Sequence, residues 1–183
     1  QALPVMSGRN RPRIWDAGCA MGPETYTLAI LLAEQLNHFA WRNLRIIATD
    51  IDEGGGFGDT IVKGEYTEDL LARIPPELRD KYFGQTGCAK TLRVAATLRE
   101  RIKYHRHDLL SLKPIDTDFS LILCKNVLLH FAASQRAQVI RMFHAALTPG
   151  GILAMEQTQK LPAELDELFC QATPEAQIYR KRG

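Results

Sequence analysis

The sequence is short of the features that would give it away at once. Its longest apolar run, Tyr26 to Ala33, is about eight residues, against the roughly 20 that a membrane-crossing helix needs. Neither sign of charge dominates: 23 Lys and Arg face 21 Asp and Glu, a net charge of +2 that gives no global attraction to nucleic acid or anionic lipid. The four cysteines (Cys19, Cys88, Cys124 and Cys170) lie far apart, with no C-x-x-C and no zinc-like spacing with histidine. Reduced thiols in a cytoplasmic protein, with no metal, are the expectation. No G-x-G-x-x-G and no G-x-x-x-x-G-K-[ST] occurs, so neither the dinucleotide nor the triphosphate loop is present. A Pro-Cys pair and an Asp/Asn-Pro-Pro-Tyr segment, which would point to methylation of nucleic-acid bases, are missing too.

What is there is the composition of an ordinary soluble globular chain: 183 residues, 45% hydrophobic and 24% charged. That length fits one domain, 1–183. Short apolar segments at Arg13–Ala17, Leu44–Thr49, Phe119–Cys124 and Gly151–Glu156 read as buried strands, and Ile102–His107 reads as a further strand by its alternation, Arg99, Arg101 and Lys103 giving it a basic face that is solvated or edge-protecting, or that attracts an acidic receptor helix. Between them, Glu24–Phe39 and Gln135–Leu147 carry apolar residues at helical spacing. Continuous apolar strands alternating with helices predict an α/β fold, doubly wound around a mostly parallel sheet. Two stretches break the alternation. Glycines from 54 to 58 make a poor helix, and Tyr82–Arg99, with Gly84, Gly87 and the β-prone Thr91–Val94, predicts a loop with a small hairpin.

In an open α/β sheet a ligand lies beyond the carboxyl ends of the strands. There the sequence places Asp16-Ala17-Gly18-Cys19-Ala20-Met21-Gly22 after the first strand, whose glycines permit close backbone approach. Asp50 ends the second strand, where a carboxylate can accept hydrogen bonds from both hydroxyls of a ribose; a plain capping role is the alternative. Asp108-Leu109 follows the third strand and Lys125-Asn126-Val127 the fourth. Polar residues at the same end of four strands predict a site for the adenosine half of a cofactor. Without pyrophosphate chemistry, that cofactor is S-adenosylmethionine rather than NAD or ATP.

A family resemblance runs through these segments. Arg13-Ile14-Trp15-Asp16-Ala17-Gly18-Cys19-Ala20, Glu24-x-Tyr26-Thr27 and Ala48-Thr49-Asp50-Ile51-Asp52 are similar to segments of the chemotaxis-receptor glutamate methyltransferases, the CheR family. The likeness continues through Gly64-x-Tyr66, Ile74-Pro75, Tyr82-Phe83, His107-Asp108-Leu109-Leu110 and Cys124-Lys125-Asn126-Val127-Leu128-x-x-Phe131, ending at Ile178-Tyr179-Arg180-Lys181. It implies a Rossmann-like methyltransferase domain that moves the methyl of S-adenosylmethionine to glutamates of a methyl-accepting receptor. It implies that Gly18, Cys19 and Ala20 line the methionine portion, that Asp50 holds the ribose, that Asp108 and Leu109 flank the adenine, and that Asn126 and Val127 lie beside the sulfonium. Glu24 and Ile51 join that cofactor set. Arg13 matches an arginine placed near the methyl-transfer centre, although the start of a strand is the end away from the ligand, and His130 stands where tyrosine is usual. Pro23-Glu24 keeps one carboxylate of the family's acidic pair. The N-terminal helical domain of the family, with its T-x-F-F-R-type segment, is expected to lie outside this chain. In some members a small β-subdomain near residues 82–99 grips a receptor tail. A cofactor-binding module without turnover, or a small-molecule methyltransferase on the same fold, remain open as alternatives.

Overall fold

The computed structural model describes residues 2–88 and 90–183. The chain opens with a short helix α1 (Ala2–Ser7), then strand β1 (Arg13–Ala17), helices α2 (Pro23–Gln35) and α3 (His38–Asn43), and strand β2 (Arg45–Asp50). Next come α4 (Phe57–Lys63), β3 (Glu65–Thr67), α5 (Pro76–Tyr82), β4 (Phe83–Gln85), β5 (Thr91–Val94) and α6 (Ala96–Arg99). The last part is β6 (Ile102–Arg106), β7 (Phe119–Cys124), α7 (Ala133–Ala146), β8 (Leu147–Met155), β9 (Phe169–Gln171) and β10 (Ile178–Lys181). No helix among the described residues is long and apolar enough to cross a membrane.

Seven strands form the central sheet in the order β6-β2-β1-β7-β8-β10-β9. The first five run parallel, and β10 is antiparallel to both β8 and β9. After β1 the chain lays β2 and β6 to one side, then returns to place β7 on the other. That reversal opens a crevice at the carboxyl ends of β1 and β7, the place where such sheets bind ligands. The predicted doubly wound sheet is therefore present.

Alternation along β1 divides its side chains between the two faces. Ile14 joins the buried layer under α2, while Trp15 and Ala17 join the layer under α7. Trp15 is fully buried, edge-on to Phe143 at 5.2 Å, and its indole N–H donates to Thr49 Oγ1 at 2.8 Å. α7 presents Val139, Ile140, Phe143 and Ala146 to this layer, and Gln135 bonds back to the Ala132 N–H at 2.9 Å to fix its start.

Three expectations need correction. The helix expected over Glu24–Phe39 is two helices, because Leu36 is extended (φ −83°, ψ 145°) and Asn37 then caps α3, its Oδ1 accepting from the Ala40 N–H at 2.9 Å. The glycine-rich stretch is only partly loop: α4 starts at Phe57 and contains Gly58, where a Cβ would lie 2.5 Å from the Tyr104 ring. The small hairpin is a three-stranded antiparallel sheet, β3-β5-β4, which recruits Glu65–Thr67 from well before the expected segment. Ala89, within that segment, lies outside the described residues.

Candidate functional site

The loop from Gly18 to Gly22 leaves β1 at the crevice and is pinned to β2. Thr49 O accepts both the Gly18 and the Cys19 N–H, at 2.7 and 3.0 Å, and Asp50 Oδ2 accepts the Ala20 N–H at 2.9 Å. Gly18 has φ +92°, and a Cβ there would lie 2.0 Å from Val127 Cγ2. Glycine is thus needed twice over, for the left-handed backbone and for the contact with the segment after β7. Gly22, at φ +87°, turns the chain into α2, where Pro23 occupies the first turn with its preset φ.

Asp50 holds the centre. Its Oδ2 takes the Ala20 N–H and its Oδ1 takes the Asp52 N–H at 3.0 Å, so two backbone amides fix the carboxylate from opposite sides. An ionised carboxylate has about four acceptor positions; two remain, on a half-buried group at the mouth of the crevice. Next to it Ile51 is 43% exposed and offers an apolar surface. Asp52, at φ +45°, turns inward instead. It accepts from the Phe57 and Gly58 N–H groups at 3.3 Å and from the Tyr104 hydroxyl at 3.1 Å, fastening the start of α4 to β6. Burial works against its charge, but those three donors and Arg106 outweigh it and hold the carboxyl below its usual range.

Beyond β6, Asp108 is exposed and caps a short 3-10 turn, Leu109–Ser111, through the Leu110 N–H at 2.8 Å. The Leu109 side chain, by contrast, is buried in the layer under α7, and Leu110 is the exposed apolar neighbour. Beyond β7, Lys125 pairs with Glu24 at 2.6 Å, tying the strand tip to the first turn of α2. Asn126 takes the left-handed conformation (φ +58°), is exposed, and delivers Val127 against Gly18. His130 is exposed on the next turn, with its N–H on Val127 O at 3.0 Å.

Gly18, Cys19, Ala20, Asp50, Ile51, Asp108, Asn126 and Val127 thus follow the carboxyl ends of β1, β2, β6 and β7, with Glu24 on the first turn of α2, the Cys19 side chain buried in the layer under α2 and His130 exposed on the turn after Asn126. Arg13 is not among them. It sits at the amino end of β1, roughly 13 Å along the strand from Ala17, paired with Asp116 and stacked over the Phe119 ring at 5.3 Å. The objection drawn from its position at the strand's start holds.

One residue quoted in the first motif was given no role by the sequence reading. Asp16, 3% exposed on β1, points to the α2 side and accepts from Thr25 Oγ1 at 2.5 Å. Burial pushes its carboxyl up to about 6; the Thr25 bond opposes the rise, and the Glu24 and Asp50 charges add to it. The signal was a lone charge inside an apolar strand, Ile14-Trp15-Asp16-Ala17. Among the described residues no group of His, Cys, Asp and Glu could hold a metal ion.

Residues 2–177 match the family model described as CheR methyltransferase, SAM binding domain. The chain belongs to this CheR family. S-adenosylmethionine is accordingly the cofactor, and the crevice fits it: Asp50 has acceptor positions to spare, and Gly18 makes room where a side chain would block the approach. An uncharacterized 104.1 kDa protein of Rhodobacter capsulatus is 32% identical over 85% of the chain, which spans 16% of that protein. A chemotaxis protein methyltransferase of Listeria monocytogenes is 29% identical over 88% of the chain, and chemotaxis protein methyltransferase 1 of Pseudomonas aeruginosa is 30% identical over 90%. The chain spans 59% and 61% of the lengths of these two. Among solved structures, a TehB-like SAM-dependent methyltransferase from Corynebacterium glutamicum superposes with a TM-score of 0.52 at 14% identity, covering 98% of this chain and 84% of that one. That likeness carries the Rossmann-like fold alone.

Proposed function

We propose that the chain is the catalytic portion of a cytoplasmic S-adenosylmethionine-dependent O-methyltransferase that esterifies glutamate side chains on a chemoreceptor-like helical protein. The reading rests above all on Asp50, a half-buried carboxylate after β2 that is locked by two backbone amides and keeps acceptor positions beyond them. In it Asp50 accepts the ribose hydroxyls, Asp108 and the exposed Ile51 face the adenine, and the backbone of Gly18–Ala20 and Asn126 lies along the amino-acid portion. Leu109 contributes through its backbone, since its side chain is in the core.

S-adenosylmethionine supplies an electrophilic methyl on a sulfonium. The acceptor glutamate, with an ordinary pKa near 4.3, is already ionised at neutral pH. No proton need be removed, so the task of the protein is alignment, which can supply roughly 7–11 kcal/mol. Arg13 begins β1, at the opposite end of the strand from the Gly18–Gly22 loop, and is paired with Asp116. His130, exposed on the rim after Asn126, is the nearer candidate.

Incubation with methyl-labelled cofactor and receptor signalling domain tests the reading. Label should enter the receptor and leave it at high pH, as an ester does; alkali-stable label or none would sink it. A second reading, cofactor binding without turnover, draws on Glu24, the retained carboxylate of the acidic pair, which is already engaged by Lys125. Its signature is saturable cofactor binding with no base-labile product.

A further inference from the structure

The loop 18–22 is gripped from two directions. From the β2 side it is held by Thr49 O and Asp50 Oδ2. From the other side the hold comes from outside the central sheet: the Tyr66 hydroxyl donates to Met21 O at 2.6 Å. Tyr66 stands on β3 of the three-stranded sheet, directly across from Leu92 on β5, and both are buried.

The surroundings make this bond specific. The Tyr66 ring is edge-on to Tyr26 at 5.8 Å, and the Tyr26 hydroxyl is itself committed to Ile61 O at 2.6 Å. Neither phenol is free to swing to another acceptor. Burial, with Tyr26 and Cys19 close by, pushes the Tyr66 hydroxyl well above its usual range, so it remains a donor. The carbonyl that it holds belongs to the peptide entering Gly22, whose left-handed φ of +87° sets the direction of the turn into α2. Fixing that peptide fixes the second half of the loop, as Thr49 and Asp50 fix the first.

We infer that Tyr66 is a positioning residue for the cofactor: through Met21 O, the small sheet sets how tightly the loop 18–22 holds its ligand. The inference rests on the reading of the strand-tip crevice as the cofactor site. Tyr66 acts through the loop and not by contact with the reacting atoms.

Calorimetric titration of the 183-residue chain with S-adenosylhomocysteine tests it, with Tyr66→Phe, Leu92→Ala and Asp50→Ala in parallel. Tyr66→Phe keeps the ring and removes the donor; affinity should fall about three- to tenfold, the range of one buried hydrogen bond. Amide exchange should quicken at Gly18–Gly22 but not in the central strands, and where turnover is followed the KM for the cofactor should rise with kcat unchanged. A purely structural role would lower the melting temperature without that local signature. Leu92→Ala, which loosens the sheet beneath Tyr66 and spares the hydroxyl, covers the case in which Tyr66→Phe does not fold; it should weaken binding in the same direction. Wild-type affinity in Tyr66→Phe, or in Leu92→Ala if only that variant folds, would overturn the inference while Asp50→Ala still bound weakly. Full binding by Asp50→Ala, or none by the unsubstituted protein, would instead overturn the cofactor site itself.

Discussion

Gly18 and Val127 meet with no room for a methyl group between them: a Cβ on Gly18 would lie 2.0 Å from Val127 Cγ2. The contact joins the loop after β1 to the segment after β7 across the crevice where the strand order reverses. Gly18→Ala should therefore destabilise the protein, by about 1–2 kcal/mol for the left-handed backbone and about 1–3 kcal/mol for overpacking. Urea unfolding measures the loss. Adding Val127→Ala should return the packing part and leave the backbone part; strict additivity of the two substitutions would mean that the residues do not press on each other.

Asp50→Ala should cost about 1–3 kcal/mol of cofactor binding through the hydrogen bonds left unmade. The same change frees the Ala20 and Asp52 amides that Asp50 now satisfies, so some loss of stability should accompany it. Titration with S-adenosylhomocysteine, using only variants with a cooperative unfolding transition, checks the first. Unchanged affinity would place the cofactor elsewhere.

Arg13→Ala should leave S-adenosylhomocysteine affinity within about twofold of wild type, since the ion pair with Asp116 is at the far end of β1. A loss comparable to that of Asp50→Ala would contradict the placement of the site.

Asp16 gives the stability an unusual pH dependence. Its carboxyl is raised from 3.8 to about 6 in the folded protein, so between roughly pH 4 and 6 the folded state binds more protons than the unfolded chain. This group alone makes stability fall as pH rises through that window, opposite in sign to a salt-bridged carboxylate. At about 1.4 kcal/mol for each pH unit, the penalty above pH 6 approaches about 3 kcal/mol. Asp16→Asn keeps an acceptor for the Thr25 hydroxyl and removes the ionisation. Urea midpoints should show the variant gaining on wild type at pH 7.5 and that gain shrinking to about a third by pH 4.5; a constant gap would mean that Asp16 does not titrate in this range.

Most of the central sheet could be read in advance because β1, β2, β7 and β8 are largely buried and stand out as apolar runs, whereas β6, half-exposed at the sheet edge, showed only as an alternation. Strand tips then followed, and with them Asp50, Asp108 and Asn126. Where the reading missed, tertiary contacts overrode local pattern. The apolar period from Glu24 to Phe39 passes through Leu36 without a break, yet Asn37 prefers to cap a new helix. Glu65–Thr67 is too short to declare itself and becomes a strand by pairing with Thr91–Arg93. Asp52 stands two residues from Asp50, and its positive φ sends it inward to Phe57, Gly58 and Tyr104, a contact that the sequence did not announce. No one-dimensional pattern encodes that change of direction.

The place of β10 between β8 and β9 bears on how the protein is made. Its residues, 178–181, are synthesised after both of its neighbours, and β9 has no other partner in the sheet. While the ribosome is still short of Ile178, the crevice and its loops can already be assembled on β1, β2, β6 and β7, but the outer edge of β8 stands bare, a template for the wrong partner. A chain stopped at Gln177 should accordingly retain some affinity for the cofactor and yet clump on concentration, with light scattering rising where the full chain stays clear. Completion of the sheet thus waits for β10, the last of its strands to be made, and protection from self-association arrives with it.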